Sequence, residues 1–202
     1  MARRLICRDQ DVSDVVPVIC NGWAAWYINV PHGGRQIISF ILPGELASAA
    51  LVFDPIQYCC IDAITDCQFR TFKRNELIKA LFRRRDALER IAQIWIDEKK
   101  RSDQLIVDLG RRLAEQRIAR LIMQLAERVK SGGTIGSAEP LPFPLRQHHI
   151  ADATGLTPVH VGKVLSELGR RNILAIRGRS LSILDPAAFV RLAGVRPSRS
   201  NI

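Results

Sequence analysis

Residues 147–166 read Gln-His-His-Ile-Ala-Asp-Ala-Thr-Gly-Leu-Thr-Pro-Val-His-Val-Gly-Lys-Val-Leu-Ser, and they decide the fold of the C-terminal half. Gly155 stands where a tight turn between two helices requires a positive φ, a conformation that costs free energy in a residue with a β-carbon. Ala151 is small where the two helices must cross closely. Thr157 can cap the second helix, and Pro158 occupies its first position, where a missing N–H does no harm. The spacing therefore predicts a helix-turn-helix.

Apolar residues occupy the positions that would hold the two helices together, namely Ile150, Leu156, Val161 and Val164. Beyond the second helix, residues 169–184 are predicted to form two short strands around Arg177-Gly178-Arg179, which would make a wing beside the helices. An ordinary helical hairpin is the alternative interpretation. It accounts less well for so many independent constraints met within one short stretch.

The exposed face of the second helix carries the candidate base-reading residues. A recognition helix lies in the major groove, where base edges present distinct donors, acceptors and methyl groups. Lys163 can donate to guanine O6 and N7, Val159 can contact a thymine methyl, and His160 can contact a base or a phosphate. Thr157 and the wing arginines suit phosphate contacts, which position a protein without reading sequence; for each arginine, a plain solvated charge is the alternative. The candidate DNA-binding residues are Gln147, Thr157, Pro158, Val159, His160, Lys163, Arg177 and Arg179.

The charge distribution separates the two halves of the chain. The formal net charge is +10 and the sequence pI is near 10.0. Residues 1–110 hold 15 basic and 14 acidic side chains, whereas residues 111–202 hold 15 basic and 6 acidic ones. Nearly all of the positive excess therefore lies in the C-terminal half, which favours a polyanion such as double-stranded DNA as its partner. On charge alone, a solvated surface or a membrane-surface patch is the alternative.

The first 73 residues are predicted to form short strands. Runs of β-branched, aromatic and Cys residues are separated by turn residues, and Pro31–Gly34 between two such runs is a hairpin signal. Because no helical period intervenes, the pattern predicts a small antiparallel barrel or roll. The predicted strands are Leu5–Cys7, Val15–Cys20, Trp23–Asn29, Gln36–Ile41, Tyr58–Ile64 and Cys67–Lys73.

From Asn75 onwards the apolar residues follow a helical period. The longest predicted helix carries a narrow apolar seam, which is typical of packing against a partner helix in a homodimer. The seam follows Leu88, Ile91, Trp95, Ser102, Leu105 and Leu109. Packing of this seam onto the chain's own roll is the alternative. The predicted helices cover about residues 75–83, 86–109 and 113–130.

Two interruptions follow the long helix. Gly110, Arg111 and Arg112 are predicted to break it and to act as a hinge. Ser131–Pro142 is rich in glycine and polar residues, and we expect it to be a mobile surface loop.

Composition excludes several classes of protein. Of the 202 residues, 47% are apolar and 25% are charged, a balance typical of a folded globular protein. No apolar stretch approaches the length of a membrane span, and the charged start is unlike a signal peptide, so we expect a cytoplasmic protein without membrane contact. The odd set of five cysteines fits reduced, buried structural thiols better than disulfides. They are Cys7, Cys20, Cys59, Cys60 and Cys67.

Residues with ligand or nucleophile chemistry form no recognisable catalytic or metal site. Cys59 and Cys60 are adjacent in a predicted strand and point to opposite faces, so one ion cannot easily bind both. His148 and His149 open the first helix of the motif and diverge by about 100°, which favours the helix surface or a phosphate contact. The sequence contains no Walker loop, nucleophile elbow or HExxH motif. We therefore expect neither an enzyme nor a bound metal.

Four segments resemble those of the Crp/Fnr family of transcription regulators, namely Trp23–Tyr27, Arg35–Glu45, Leu109–Arg117 and Gly155–Val161. The resemblance covers nearly the whole chain. It implies an α+β fold with an N-terminal antiparallel β-roll like that of cyclic-nucleotide-binding domains, a long dimerisation helix and a C-terminal winged helix. The implied divisions are residues 1–85 for the roll, 86–110 for the dimerisation helix and hinge, 111–188 for the winged helix, and 189–202 for a tail.

The same resemblance implies the partners. A homodimer would place two recognition helices on DNA half-sites roughly 34 Å apart, about one helical turn. RNA polymerase is the further partner that the family implies.

The chain departs from the family pattern in two places. Met1 aligns within an early roll strand, so the chain is expected to be short at its N-terminus. The cyclic-nucleotide signature is also missing: Gly44-Glu45 aligns with an earlier turn, Ser48-Ala49 stands at the ribose position, and no Arg or Lys lies between Arg35 and Arg70. Because a buried phosphate needs a charge partner, cyclic AMP is not expected as a cofactor.

These observations predict a dimeric, sequence-specific DNA-binding transcription regulator that responds to an unidentified signal. Three alternatives stay open. They are a redox switch built on the thiols, a regulator that needs no ligand, and a basic module without sequence preference.

Overall fold

The computed structural model describes residues 5–9, 11–130 and 139–194. The chain divides into two compact units, Met1–Val107 and Asp108–Ile202. No helix in the described part of the chain is both long and apolar enough to cross a membrane.

The strands of the first unit are all antiparallel, as expected for a roll. They are β1 (Leu5–Cys7), β2 (Val15–Asn21), β3 (Ala24–Asn29), β4 (Arg35–Ile41), β5 (Cys60–Ala63) and β6 (Gln68–Lys73). One sheet has the order β1-β5-β3-β4, and β2 pairs with β6 in a second sheet. Each strand begins and ends within two residues of its predicted position.

Buried β-branched and aromatic residues hold this roll together. Val16 and Ile19 of β2 and Ile61 of β5 are completely buried. A single 3-10 turn at Pro31–Gly33 joins β3 to β4, which confirms the predicted hairpin. A one-turn helix, α1 (Ala50–Phe53), also lies in this unit, and the sequence pattern missed it because four residues are too few to show a helical period.

Two helices follow the roll strands. They are α2 (Arg74–Arg83) and the 27-residue α3 (Arg85–Arg111). Ile91 of α3, a residue of the predicted apolar seam, packs into the roll core. Part of the seam therefore packs onto the chain's own roll, whereas Trp95 of the same seam remains half-exposed.

The predicted helix break is present, but it lies at Arg112 rather than at Gly110. Gly110 and Arg111 are both helical, and the Arg112 N–H still donates to the Asp108 carbonyl at 3.3 Å. The chain leaves the helix at Arg112, and Leu113 adopts an extended conformation before the next helix. A glycine lowers helix stability by only about 1 kcal/mol, which the rest of a long helix easily offsets.

In its described residues the second unit contains the end of α3, four further helices and a small sheet. Its elements are α4 (Ala114–Val129), β7 (Leu141–Pro142), α5 (Gln147–Thr154), α6 (Pro158–Arg170), β8 (Leu174–Arg177), β9 (Ser180–Ile183) and α7 (Pro186–Ala193). The sheet order is β7-β9-β8. The helix-turn-helix and the two wing strands are confirmed.

Two predictions about loops need correction. The predicted loop Ser131–Pro142 ends in β7, where Leu141 pairs with Leu181; its residues 131–138 lie outside the described residues. The predicted tail from residue 189 begins inside α7, which starts at Pro186 and buries Phe189 completely. Residues 195–202 also lie outside the described part of the chain.

A buried ionic network connects the helices of the second unit. Asp108 accepts from Arg112 Nε at 2.7 Å and lies 3.0 Å from Arg120 Nε. Arg120 also donates from Nη1 to the Ala193 carbonyl at 3.2 Å, which joins the end of α7 to α4. Asp108 and Arg120 are both buried, so removing either side chain would leave the charge of the other desolvated and without this partner.

We expect Asp108→Ala to lower the free energy of unfolding by about 3–5 kcal/mol, because Arg120 would stay buried without its carboxylate. Urea unfolding followed by circular dichroism measures the loss. Asp103→Ala, which removes only an exposed pair with Lys99, is the control and should change little. Equal losses in the two variants would contradict the network's role.

We expect Gly110→Ala to raise the free energy of unfolding by about 0.5–1 kcal/mol, since a β-carbon there meets nothing within 4 Å and alanine favours helix. The same unfolding measurement tests this. A destabilised variant would show that Gly110 must leave the helical conformation, as a hinge requires.

Candidate nucleic-acid interface

The turn between α5 and α6 fixes how the two helices meet. Gly155 ends α5 with φ +65° and ψ +35°, the left-handed conformation that the sequence predicted. The Leu156 N–H donates to the Ala151 carbonyl at 3.1 Å, which closes the turn. Ile150 and Val161 are at most 1% exposed and pack in the interior of this unit. The helix-turn-helix is therefore held together by buried apolar residues and by a turn in the left-handed conformation. Glycine adopts that conformation without strain because it has no β-carbon.

The first turn of α6 is capped as predicted. The Thr157 hydroxyl oxygen accepts from the His160 N–H at 3.2 Å, and Pro158 occupies the first helical position. This cap satisfies one of the free N–H groups at the start of the helix and fixes its direction.

One face of α6 is open to solvent along its first two turns. Val159 is 69% exposed, and His160 and Lys163 are exposed beside it. Val159 and Lys163 are four residues apart and therefore lie on the same face. Among the described residues Lys163 has no acidic partner, so its three donors are available to a ligand.

The wing presents two arginines at a tight hairpin. Gly178 and Arg179 have φ values of +55° and +70° and form the two-residue connection between β8 and β9. Positive φ at both positions is the conformation of the commonest two-residue hairpin loops. Arg177 and Arg179 are both exposed, as phosphate contacts require, and so is Gln147 at the start of α5.

A groove of about 530 Å³ runs between α6 and the wing. Polar and basic side chains line part of it, including Arg146, Gln147, Ser166 and Arg177. The structure thus brings Gln147 and Arg177 to one groove.

His149 does not lie on the helix surface as expected. It is 6% exposed, and its Nδ1 accepts from the Arg146 N–H at 3.1 Å, which completes the cap of α5. The sequence signal was available, since an acceptor three residues into a helix commonly bonds back to the residue before it. The His149 side chain is thus structural, and His148 lies half-buried against it with ring centres 4.0 Å apart.

Comparison with known proteins places this geometry in a family. The model of the Crp-like helix-turn-helix domain matches residues 116–192. The nitrogen fixation regulation protein FixK of Bradyrhizobium diazoefficiens is 30% identical over 186 residues, which cover 92% of this chain and 76% of that protein. The chain belongs to the Crp/Fnr family of transcription regulators.

Two further comparisons agree with this assignment. FixK of Rhizobium meliloti is 29% identical over 190 residues, covering 92% of this chain and 82% of that protein. The solved structure of FixK2 from Bradyrhizobium japonicum superposes with a TM-score of 0.84 at 23% identity, covering 96% of this chain and 95% of the other, and shares the fold. As a member of the Crp/Fnr family the protein is a DNA-binding transcription regulator, and α6 is the helix that corresponds to its recognition helix.

In the roll of this Crp/Fnr protein, a side chain of α3 occupies the place where the resemblance puts the ribose contacts. Glu98 accepts from the Ala49 N–H at 2.9 Å and from the Ser48 hydroxyl at 3.2 Å. Ser48 and Ala49 are at most 2% exposed. The chain therefore supplies its own carboxylate at this position. The sequence pattern does not reveal Glu98, because this residue lies in a polar run of α3 that is typical of a solvated helix face.

Burial raises the pKa of Glu98 above its ordinary value of 4.5. The two hydrogen bonds and the charge of Arg101 lower it, while Glu45 raises it further. Burial is the largest of these effects, so desolvation of the charged form decides the direction.

Three of the cysteines are poorly suited to redox chemistry. The expectation of buried thiols holds for Cys59 and Cys60 only, because Cys7 and Cys67 are half-buried and Cys20 is exposed. Burial raises the pKa of Cys7 to about 11 and that of Cys59 to about 12. Burial also raises the pKa of Cys67. Because the thiolate is the reactive form, these thiols are nearly inert at neutral pH. The described residues contain no group of three or more His, Cys, Asp or Glu that could hold a metal ion.

Glu98→Gln is expected to change how stability depends on pH. Below about 4.5 Glu98 is protonated in both the folded and unfolded states. As the pH rises through its raised folded pKa, the wild-type protein must ionise a buried group and loses stability, whereas glutamine has no proton to lose. Urea unfolding midpoints from pH 4.5 to pH 7 should therefore fall more in the wild type than in Glu98→Gln. Parallel curves would contradict a raised pKa.

Proposed function

We propose that the protein acts as a homodimer that binds specific double-stranded DNA sequences in the cytoplasm and has no catalytic activity. The observation that carries sequence-specific binding is the open face of α6. There Val159 and Lys163, which has no acidic partner among the described residues, lie on one face of a helix whose direction is fixed by the Thr157 cap. An apolar methyl contact and a lysine donor are both suited to major-groove edges. RNA polymerase is the further partner proposed, on the strength of the regulator family alone.

The exposed apolar face of α3 supports the dimer. Trp95 is 50% exposed and Ile106 is 69% exposed, and the two residues are three helical turns apart on one face. Ile96 and Val107 repeat the pattern at 49% and 46% exposure. An exposed stripe of this kind is typical of helix pairing. Two copies would then present two α6 helices to half-sites roughly 34 Å apart.

We further propose that the protein regulates transcription without binding a ligand in its roll. Glu98 already accepts from Ala49 and Ser48, and an external anion there would meet a carboxylate. This argues against cyclic AMP in the same way as the missing arginine does. A thiol redox switch is the second candidate, and the raised thiol pKa values weaken it.

Selection of binding sites from randomised duplex DNA, at two salt concentrations and without added ligand, tests this proposal. The expected outcome is a two-fold symmetric site with half-sites about one helical turn apart. Bulk binding that is sensitive to salt but enriches no sequence would contradict it. Loss of specific binding under a mild oxidant, restored by Cys20→Ser or Cys67→Ser, would instead favour the redox switch.

Lys163→Ala and Arg179→Ala are expected to act differently on the selected site. Lys163→Ala should cost about 1–3 kcal/mol of binding free energy and relax one base position, because it removes a base contact. Arg179→Ala should weaken all duplexes alike and reduce the salt slope by about 1, because it removes a phosphate contact. Titrations on specific and scrambled duplexes at several salt concentrations measure both effects. If Lys163→Ala weakens the two duplexes equally, its assignment to a base is wrong.

A further inference from the structure

A glycine lies inside the recognition helix where nothing in the backbone requires one. Gly162 is the fifth of the thirteen residues of α6, and its φ is not positive. Glycine at such a position lowers helix stability by about 1 kcal/mol relative to alanine. Its surroundings distinguish Gly162 from the helical glycines Gly110 and Gly169.

The space beside Gly162 is occupied by the side-chain amide of Gln147. A β-carbon at Gly162 would lie 3.1 Å from Nε2, 3.2 Å from Oε1 and 3.3 Å from Cδ of Gln147. All three distances are shorter than ordinary carbon contacts. Gly169, the other glycine of α6, is different, because a β-carbon there would meet its nearest atom, the Leu174 carbonyl oxygen, at 3.8 Å. Contact with the Gln147 amide is therefore specific to Gly162.

The Gln147 amide is available to a ligand. The described residues provide no hydrogen-bond partner for it, and the exposed amide lies beside Gly162 of α6. It lies in the groove between α6 and the wing, together with Arg146 and Arg177. Two cationic side chains and an amide with two N–H donors match the anionic oxygens of a DNA backbone phosphate.

We propose that Gly162 is a positioning residue, whose missing β-carbon seats the Gln147 amide in this groove, where Gln147 donates to a backbone phosphate of the bound DNA. This contact fixes how far α6 enters the major groove and carries no sequence information. The inference rests on the proposed function, since it assigns one contact of the same interface.

The experiment compares Gln147→Ala, Gly162→Ala and the double variant by fluorescence anisotropy on the selected duplex and on a scrambled one. Gln147→Ala should weaken binding to both by about tenfold, because a hydrogen bond to a charged group is lost. The salt slope should not change, because glutamine carries no charge and releases no counterion. Gly162→Ala should weaken binding several-fold while raising the Tm, since alanine favours the helix.

The double variant decides whether Gly162 acts through Gln147. Without the amide, a β-carbon at residue 162 has nothing to displace, so the double variant should bind as Gln147→Ala does. Gly169→Ala is the matched control and should raise the Tm with affinity unchanged.

Three results would overturn the proposal. They are wild-type affinity in Gly162→Ala, additive losses in the double variant, and a changed base preference in Gln147→Ala, which would place the amide on a base. Failure of the proposed function has a different signature. In that case the wild type itself would show no sequence preference, and Lys163→Ala would leave the ratio of the two affinities unchanged.

Discussion

The DNA-binding unit depends on one backbone position, Gly155, in the left-handed conformation. A side chain there would be strained by φ +65°, and its β-carbon would lie 3.1 Å from Cδ2 of Leu109. The turn sets the direction in which α6 begins, and the cap by Thr157 continues from it. The exposure of Val159 and Lys163 follows from that direction. A small change in the turn would therefore change every contact that α6 can make with a base.

In the roll, a contact within the chain involves Ser48 and Ala49, the residues that the family resemblance aligns with ribose contacts. Glu98 joins α3 to the residues just before α1 through two hydrogen bonds, and it does so at the cost of burying a carboxylate. A ligand that stabilises one arrangement of a regulator must bind that arrangement more tightly than another. Glu98 supplies a link of this kind from within the chain, and that contact is the observation behind the ligand-independent regulation proposed above.

The sequence was most informative where the deciding interactions are local. Gly155, Thr157 and Pro158 lie within four residues of one another, so their spacing alone predicts the turn and the cap. Glu98 could not be found in this way because its partners lie about fifty residues earlier in the chain. The start of α7 was readable, since Asp185 caps it and Pro186 follows, but eight residues show little apolar period. The helix continued through Gly110 because a glycine in a long helix weakens it without ending it.

The base-reading role proposed for the exposed face of α6 is tested most directly by site selection with Val159→Glu. Glutamate accepts a hydrogen bond from cytosine N4, whereas valine can contact only a methyl group. Selection from randomised duplex DNA with this variant is expected to change the preferred base at one position of each half-site and to leave the half-site spacing as in the wild type. An unchanged preference at every position, with affinity lowered equally on all sequences, would contradict that role.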